Sequence, residues 1–463
     1  MARCVSMCTG PLSISNESVP SALVAGVTNT VEKYGHARAE WHKLTDIMIH
    51  RPGVEMLFGL LDPYAFLYER AFSMDEAIYE HRELEHVLSQ SGAKVLRFKR
   101  VAVEIAKENP AIFDEARTDA KRIVKFEGPK AELARKEFSK NVDELDAETI
   151  FNIILLRPSI QLKQGKGTRV LFPHPVLNVP LANLYFMRDQ QALTDKGFVV
   201  GRMSKPQRMM EPSFTGRILQ LMGAKIAHQI KPPGTFEGGD FIPAGEFAMI
   251  GLGDRTNRNA IKQILDKGLD FNEVAVVHQA AHPLIPGEER DPMINMHLDT
   301  YLNLAGQGIA VGCIPLLKRA HVEIYRRRSR GKYTKEDSNT NIHDFLVKRG
   351  FKIVPITTLE QMSYASNFLC MKDRQIIAVE VEKVVDKVLK NLERETDQQP
   401  RRYGELLRQA KKDYRDLRQT GQFFPHKKEF NDLGVEVTPL MLQEITGGYG
   451  GAHCMTCVLN RSG

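Results

Sequence analysis

One unit recurs along the chain: a helical stretch ends in glycine, and a short β-rich run follows at once. It reads as RELEHVLSQSGAKVLRF (82–98), GRILQLMGAKIAHQI (216–230), AIKQILDKGLDFNEVAVV (260–277), NIHDFLVKRGFKIVPI (341–356) and KKEFNDLGVEVTPL (427–440). The glycines are Gly92, Gly223, Gly268, Gly350 and Gly434. Glycine just past a helix takes the left-handed conformation that closes the helix and turns the chain. The apolar run behind it has the character of a strand. A single unit of this kind exposes an apolar face, so five copies predict α/β units packed around a shared centre.

Other local signals fit this frame. Ser73 and Glu76 have capping-box spacing and open a helix with Ala77, His81, Leu84 and Leu88 on one face. KLTDIMIHRPG (43–53) reads as a strand ending in a turn. Two stretches interrupt the repeat. Residues 104–150 are charged and helical in composition, an inserted helical segment. Residues 381–425 read as a long helical hairpin broken near Pro400, with Val381, Val384, Val385, Val388, Leu389 and Leu392 at helical spacing, so one face is expected to dock on the body. Residues 1–38 are expected to form a poorly ordered tail.

At 463 residues the chain is long enough for a large single fold or two to three domains. The N-terminus lacks an apolar signal-peptide core, and no run reaches the ~18 apolar residues of a membrane span. Six scattered cysteines do not make a disulfide scaffold. A cytoplasmic location with reduced thiols is the expectation. The net charge of +7 is uneven. Residues 316–335 carry +7 and residues 383–428 carry +6, leaving −6 elsewhere. Neither segment interleaves aromatics for stacking on bases, which favours a solvated loop and a surface helix over a nucleic-acid site.

Four motifs could carry chemistry. MHLDT (296–300) lies in a β-rich context, where i and i+2 share a face, so His297 and Asp299 are expected to point the same way. That pairing suits acid/base work, and equally a buried structural pair. TFEGGDFIPAGE (235–246) sets Glu237 and Asp240 around two glycines, which allow a tight turn or a close approach to a ligand. PLANLYFMRDQQ (180–191) offers Asn183, Phe186, Arg188 and Asp189; an amide, an aromatic and an acid could recognise a planar cation, and a strand end with an Arg–Asp surface pair is the plainer alternative. GGYGGAHCMTC (447–457) holds four glycines with Cys454 and Cys457. Structural zinc would need a second pair, for which only Cys4 and Cys8 offer themselves. A redox pair would open a helix behind a strand, a setting absent from VLNRSG. A lone nucleophile, Cys454, served by His297, Glu237, Asp189 and Asp299 from separate units, fits a central site better, with Cys457 as buried filler.

In this order, NLYFMRD, EGGD, GDRT, MHLDT and GGAHCMTC resemble arginine deiminase, within the guanidino-group-modifying enzymes, from about residue 40 onward. HKLTDIMIHRPG and EHRELEHVLSQSGAKVL share the resemblance. It implies an α/β fold: a five-bladed propeller of pseudo-fivefold ββαβ units with a helical insertion after the first, which 104–150 matches. The catalytic body is expected over 39–463, and its second insertion, the hairpin 381–425, is longer than the family leads one to expect. It implies that Cys454 is the nucleophile toward the guanidinium carbon, that Asp189 and Asp299 hold the guanidinium nitrogens, that His297 is the acid/base and that Glu237 orients it. It further implies that Arg208, Arg255 and Asn183 clamp the substrate carboxylate and that Phe186 packs on the aliphatic chain. No cofactor or metal is implied, L-arginine is the implied small-molecule partner, and a homo-oligomer is expected. Family members often carry arginine five residues before the nucleophile, where this chain has Tyr449. The alternatives are hydrolysis or amidino transfer on another guanidino substrate, and a nucleic-acid-binding protein using the basic segments.

Overall fold

The computed structural model describes residues 33–463 apart from 168 and 288–292. Five sheets share one topology: an antiparallel hairpin whose second strand pairs in parallel with a third strand reached through a helix. Gln191–Leu193 and Phe198–Val200 form the hairpin of one sheet, and Ile226–Gln229 joins it after the helix Glu211–Leu221. Phe241–Ala244, Phe247–Leu252 and Glu273–His278 repeat the arrangement. So do Leu302–Gly306, Ile309–Gly312 and Lys352–Pro355. The fourth copy is Leu369–Lys372, Gln375–Val379 and Glu436–Leu440. In the fifth, Cys457–Ser462 runs antiparallel to Lys43–Ile49, which pairs in parallel with Lys94–Arg97. The fold is mixed α/β.

Several inner strands are buried on both faces. FVV (198–200), EVAVV (273–277) and IAVG (309–312) are buried throughout, as expected for strands covered on each side. Gly92, Gly223, Gly350 and Gly434 take positive φ between +65° and +85° behind their helices. Gly268 does not. It ends a wider π turn, Ile264–Gly268, and a Cβ there would lie 2.8 Å from the Val199 side chain, so close packing rather than backbone handedness requires glycine. The Ser73 hydroxyl accepts from the Glu76 backbone N–H, and Ala77, His81, Leu84 and Leu88 are all buried.

The stretch expected to be helical around 104–150 holds the helices Phe98–Glu108, Pro110–Ile123, Ala131–Asn141 and Ala147–Leu156. It also holds a sheet that sequence patterning did not reveal, Lys125–Glu127, Pro158–Gln164 and Leu171–Leu177. Its last strand, LFPHPVL, contains two prolines and is mostly exposed, so neither β-propensity nor alternation marks it. The second interruption forms the helices Val381–Gln398 and Pro400–Thr420, with Pro400 at the first position of the second, where its missing N–H costs nothing. Val381, Val384, Val385, Val388 and Leu392 are buried against the body, and Leu389 is partly so.

Residues 33–38, expected as part of a loose tail, are packed. Tyr34 and Ala37 are buried; the Lys33 N–H donates to Gly223 O, and the Gly35 N–H to Leu459 O. Nothing in their polar composition signalled this, because the partners lie on distant strands. The remainder of that segment, with Cys4 and Cys8, lies outside the described residues.

Candidate active site

The nine residues singled out above as site candidates are all buried in the structure. Most sit just ahead of the first strand of a hairpin, the same structural position taken from several units. Asp189 precedes Gln191, Glu237 and Asp240 precede Phe241, His297 and Asp299 precede Leu302, and Cys454 precedes Cys457. His297 and Asp299 are not in a strand, contrary to expectation. His297 caps and Asp299 lies within a tight 3-10 turn, Leu298–Thr300, fastened by the Thr300 hydroxyl donating to His297 O, and the strand starts only at Leu302. Both still face one spot. A Cβ on Gly239 would come within 2.8 Å of His297 Nδ1 and 3.0 Å of Asp299 Oδ1.

His297 Nε2 meets Glu237 Oε2 at 2.8 Å, and its Nδ1 lies 3.6 Å from Asp189 Oδ1. Glu237 also accepts from Arg255 Nη1 at 3.2 Å and from the Ser204 N–H. Burial alone would lower the His297 pKa, but Asp189, Glu237 and Asp240 outweigh it and push it up to about 9. Burial would raise the Glu237 carboxyl; Arg255 and His297 win and hold it well below the usual carboxylate range. Glu237 is therefore an anion beside a protonated imidazole.

Cys454 Sγ lies 3.6 Å from Asp299 Oδ2 and 3.1 Å from Asn367 Nδ2. Burial first, then Asp299 and Asp189, raise its pKa well above that of a free thiol. Asp299 Oδ2 is also 2.8 Å from His453 Nδ1. Two acid oxygens at this centre, Asp189 Oδ1 and Asp299 Oδ1, are buried without a hydrogen-bond partner, as is His297 Nδ1. Buried acceptors without donors are costly, so their occurrence here marks a place built for a donor-rich cation.

The proposed carboxylate clamp reaches the centre but is engaged there. Arg208 pairs with Asp189 and with Glu211 at 2.9 Å. Arg255 is held by Glu237. Asn183 Nδ2 donates to Phe66 O at 2.7 Å. Burial, reinforced by Asp189, pushes Glu211 up to about 7 although Arg208 opposes the shift. Phe186 packs on Tyr185 with ring centroids 4.1 Å apart. The ligand atoms of Asp189, Glu237 and His297 lie within 4.8 Å of one another and could gather a metal ion. Their charges are instead balanced by Arg208 and Arg255.

The 447–451 loop explains its own glycines. A Cβ at Gly448 would stand 1.7 Å from Tyr185 Oη, and one at Gly450 would stand 2.6 Å from the Phe186 ring. The chain thus lies directly on the aromatic wall. Tyr449 takes φ +83° and sets its ring edge-on to Tyr364, centroids 6.0 Å apart. The two tyrosines help line a crevice of about 10 Å³ next to Asn367, room for a single water. Cys457 opens a strand, is buried and unpaired, and burial pushes its thiol up to about 12.

Sequence reasoning missed Asn367, His453, Glu40 and Glu211. Asn367 could have been found, because it precedes the strand Leu369–Lys372 where other units place their acids. Glu40 could not. Its contacts with Arg461 at 2.8 Å and Arg188 at 3.8 Å join parts of the chain far apart in sequence.

In this mixed α/β fold a buried cysteine, a histidine and four acids come together at one point, the kind of constellation that an enzyme can use. The family model for arginine deiminase matches residues 64–461, and the chain belongs to that family. Among curated relatives, arginine deiminase from Halobacterium salinarum is 24% identical, the alignment covering 92% of this chain and 96% of that one. Arginine deiminase 1 from Staphylococcus epidermidis is 22% identical over 91% and 97%. Among solved structures, a dimethylarginine dimethylaminohydrolase from Pseudomonas aeruginosa in complex with citrulline is 13% identical, with TM-score 0.45 over 89% and 98%. An amidinotransferase of saxitoxin biosynthesis from Microseira wollei is 11% identical, with TM-score 0.47 over 93% and 98%.

Proposed function

We propose that the protein hydrolyses L-arginine to L-citrulline and ammonia, with Cys454 as nucleophile. The observation that carries this reading is the pair of acid oxygens without a hydrogen bond, Asp189 Oδ1 and Asp299 Oδ1, around a buried cysteine and a protonated histidine. A guanidinium supplies planar N–H donors for both acids and presents its carbon to Sγ; such fixing of reactants is worth several kcal/mol, up to ~7–11 in well-oriented systems. The bound cation also offsets the acids that suppress thiol ionisation. As the cation binds, the Cys454 thiol loses its proton to solvent. The thiolate attacks the guanidinium carbon, one C–N bond breaks, and His297 gives its proton to the departing ammonia. A water molecule, losing a proton to His297, then attacks the same carbon. The C–S bond breaks, its electron pair returns to sulfur, the oxygen gives up its remaining proton to solvent, and citrulline leaves.

Substrate entry in this scheme is an exchange of partners. Arg208 leaves Asp189 for the substrate carboxylate as the substrate guanidinium takes Asp189. A guanidino amine such as agmatine has no carboxylate to complete the exchange, which favours the amino acid. Five of the sheets share the ββαβ order, and we read them as the blades of a five-bladed propeller over 39–463, with 104–150 and 381–425 as insertions. A cytoplasmic homo-oligomer completes the reading. Among the described residues no helix is long and apolar enough to cross a membrane. Incubation with L-arginine and with agmatine, assaying citrulline, ornithine and ammonia, tests the reaction. Ornithine in place of citrulline would refute it. Sedimentation tests the oligomer.

A further inference from the structure

We infer that Asn367 is a catalytic residue: its side-chain N–H is the donor that aims the Cys454 sulfur and stabilises it as a thiolate. The inference rests on the reading of Cys454 as nucleophile. Asn367 is 2% exposed and lies two residues ahead of the strand Leu369–Lys372. Its Oδ1 accepts from the Gly451 N–H at 2.8 Å and the Cys454 N–H at 3.0 Å. Backbone N–H groups only donate, so these two contacts identify which end of the amide is oxygen. The NH₂ end must then face the other way, where it meets Cys454 Sγ at 3.1 Å and Asp299 O at 3.5 Å. The Asn367 carbonyl also accepts from the His453 N–H, so one residue braces both the backbone and the sulfur of the nucleophile.

The chemistry needs such a donor. Burial, Asp299 and Asp189 all oppose the thiolate, and the Asn367 N–H is the foremost group favouring it, ahead of Arg188. When sulfur attacks, its electron pair moves into the new C–S bond and the hydrogen bond weakens. When that bond breaks, the pair returns to sulfur and the N–H receives it again. The donor therefore serves the free thiolate and its departure in the second step.

Asn367→Asp removes the donor but adds a negative charge beside the sulfur, so the neutral Asn367→Ala must displace the alkylation profile in the same direction. A carboxylate oxygen still accepts from Gly451 and Cys454, while the donor is lost. Alkylation of Cys454 by iodoacetamide, followed by mass spectrometry of its peptide across pH, is expected to be about tenfold slower near neutrality, with its profile displaced upward by about one pH unit. With arginine, kcat should fall about tenfold or more while KM stays within about threefold. Circular dichroism reports folding; if Asn367→Asp unfolds, Asn367→Ser takes its place and must show the same displacement. Overlaid alkylation profiles for wild type and variant would overturn the assignment. Alkylation is read without arginine, so it stands apart from failure of the proposed reaction, which citrulline release by Cys454→Ala would reveal.

Discussion

The two ends of the hairpins hold opposite kinds of space. At the turn end, around Gly245 and Gly308, an open groove of about 1180 Å³ lies between Trp41, Phe247 and Phe351. Its main charges are paired: Glu273 with Arg326 and Arg349, and Glu336 with Arg326. At the other end, where the strands begin, the adjoining crevice is about 10 Å³, yet buried acid oxygens and a histidine nitrogen there lack a hydrogen bond. Volume marks the wrong end. Buried acid oxygens without a hydrogen bond, which the groove lining lacks, mark the other end as the one able to take a cation.

This contrast can be broken or sharpened by substitution. Cys454→Ala should have the largest effect, a loss of at least about 10³-fold in citrulline release; activity near wild type would place the chemistry elsewhere. Glu237→Gln comes next, with kcat down about 10²-fold. His297 is held up to about 9 partly by Glu237, so it keeps its proton until pH rises through that value. Activity that needs the proton should fall above about pH 9, and in Glu237→Gln the fall should begin at lower pH. A kcat–pH profile with an unmoved limb would remove Glu237 from its orienting role. Gly448→Ala should cost about 1–3 kcal/mol of stability through its clash with Tyr185. Thermal unfolding measures it, and adding Tyr185→Phe should relieve part of the loss. At the open end, the exposed Lys348 lines the groove, and Lys348→Ala should leave kcat/KM within about twofold; a larger drop would show that the groove is coupled to the site.

Much of the fold could be read from glycine. Four of the five helix-ending glycines take the left-handed conformation because the chain must reverse there, a requirement visible in any sequence. Gly268 answers to the Val199 side chain, which only the folded molecule brings near. The positions of His297 and Asp299 were legible as facing one way, but their turn was not. Composition suggested strand, and the Thr300 hydroxyl tightened the backbone instead. The basic segment 316–335, expected as a solvated loop, instead carries the strands His321–Arg327 and Tyr333–Lys335. Arg326 and Arg327 find Glu273 and Asp270, Lys335 finds Glu323, Lys387 finds Glu444, and Lys411 finds Glu393. A count of charges along the chain cannot show that their partners sit across strands and helices. Asn367 escaped notice because no motif surrounds it in the sequence, and its place beside the sulfur comes from the two distant backbone N–H groups that orient its amide.

The pairing of Cys457–Ser462 with Lys43–Ile49 has a consequence in time. Asn460 and Arg461 hold Gly35, Glu40 and His42 through contacts spanning 419 to 425 residues. Closing so long a loop is slow, and contacts of this range form after local ones. The nucleophile lies three residues from that pairing, so during refolding the other sheets should assemble before the thiol is seated. Far-UV circular dichroism should recover ahead of citrulline release, and simultaneous recovery of the two signals would show that the last strand docks with the rest.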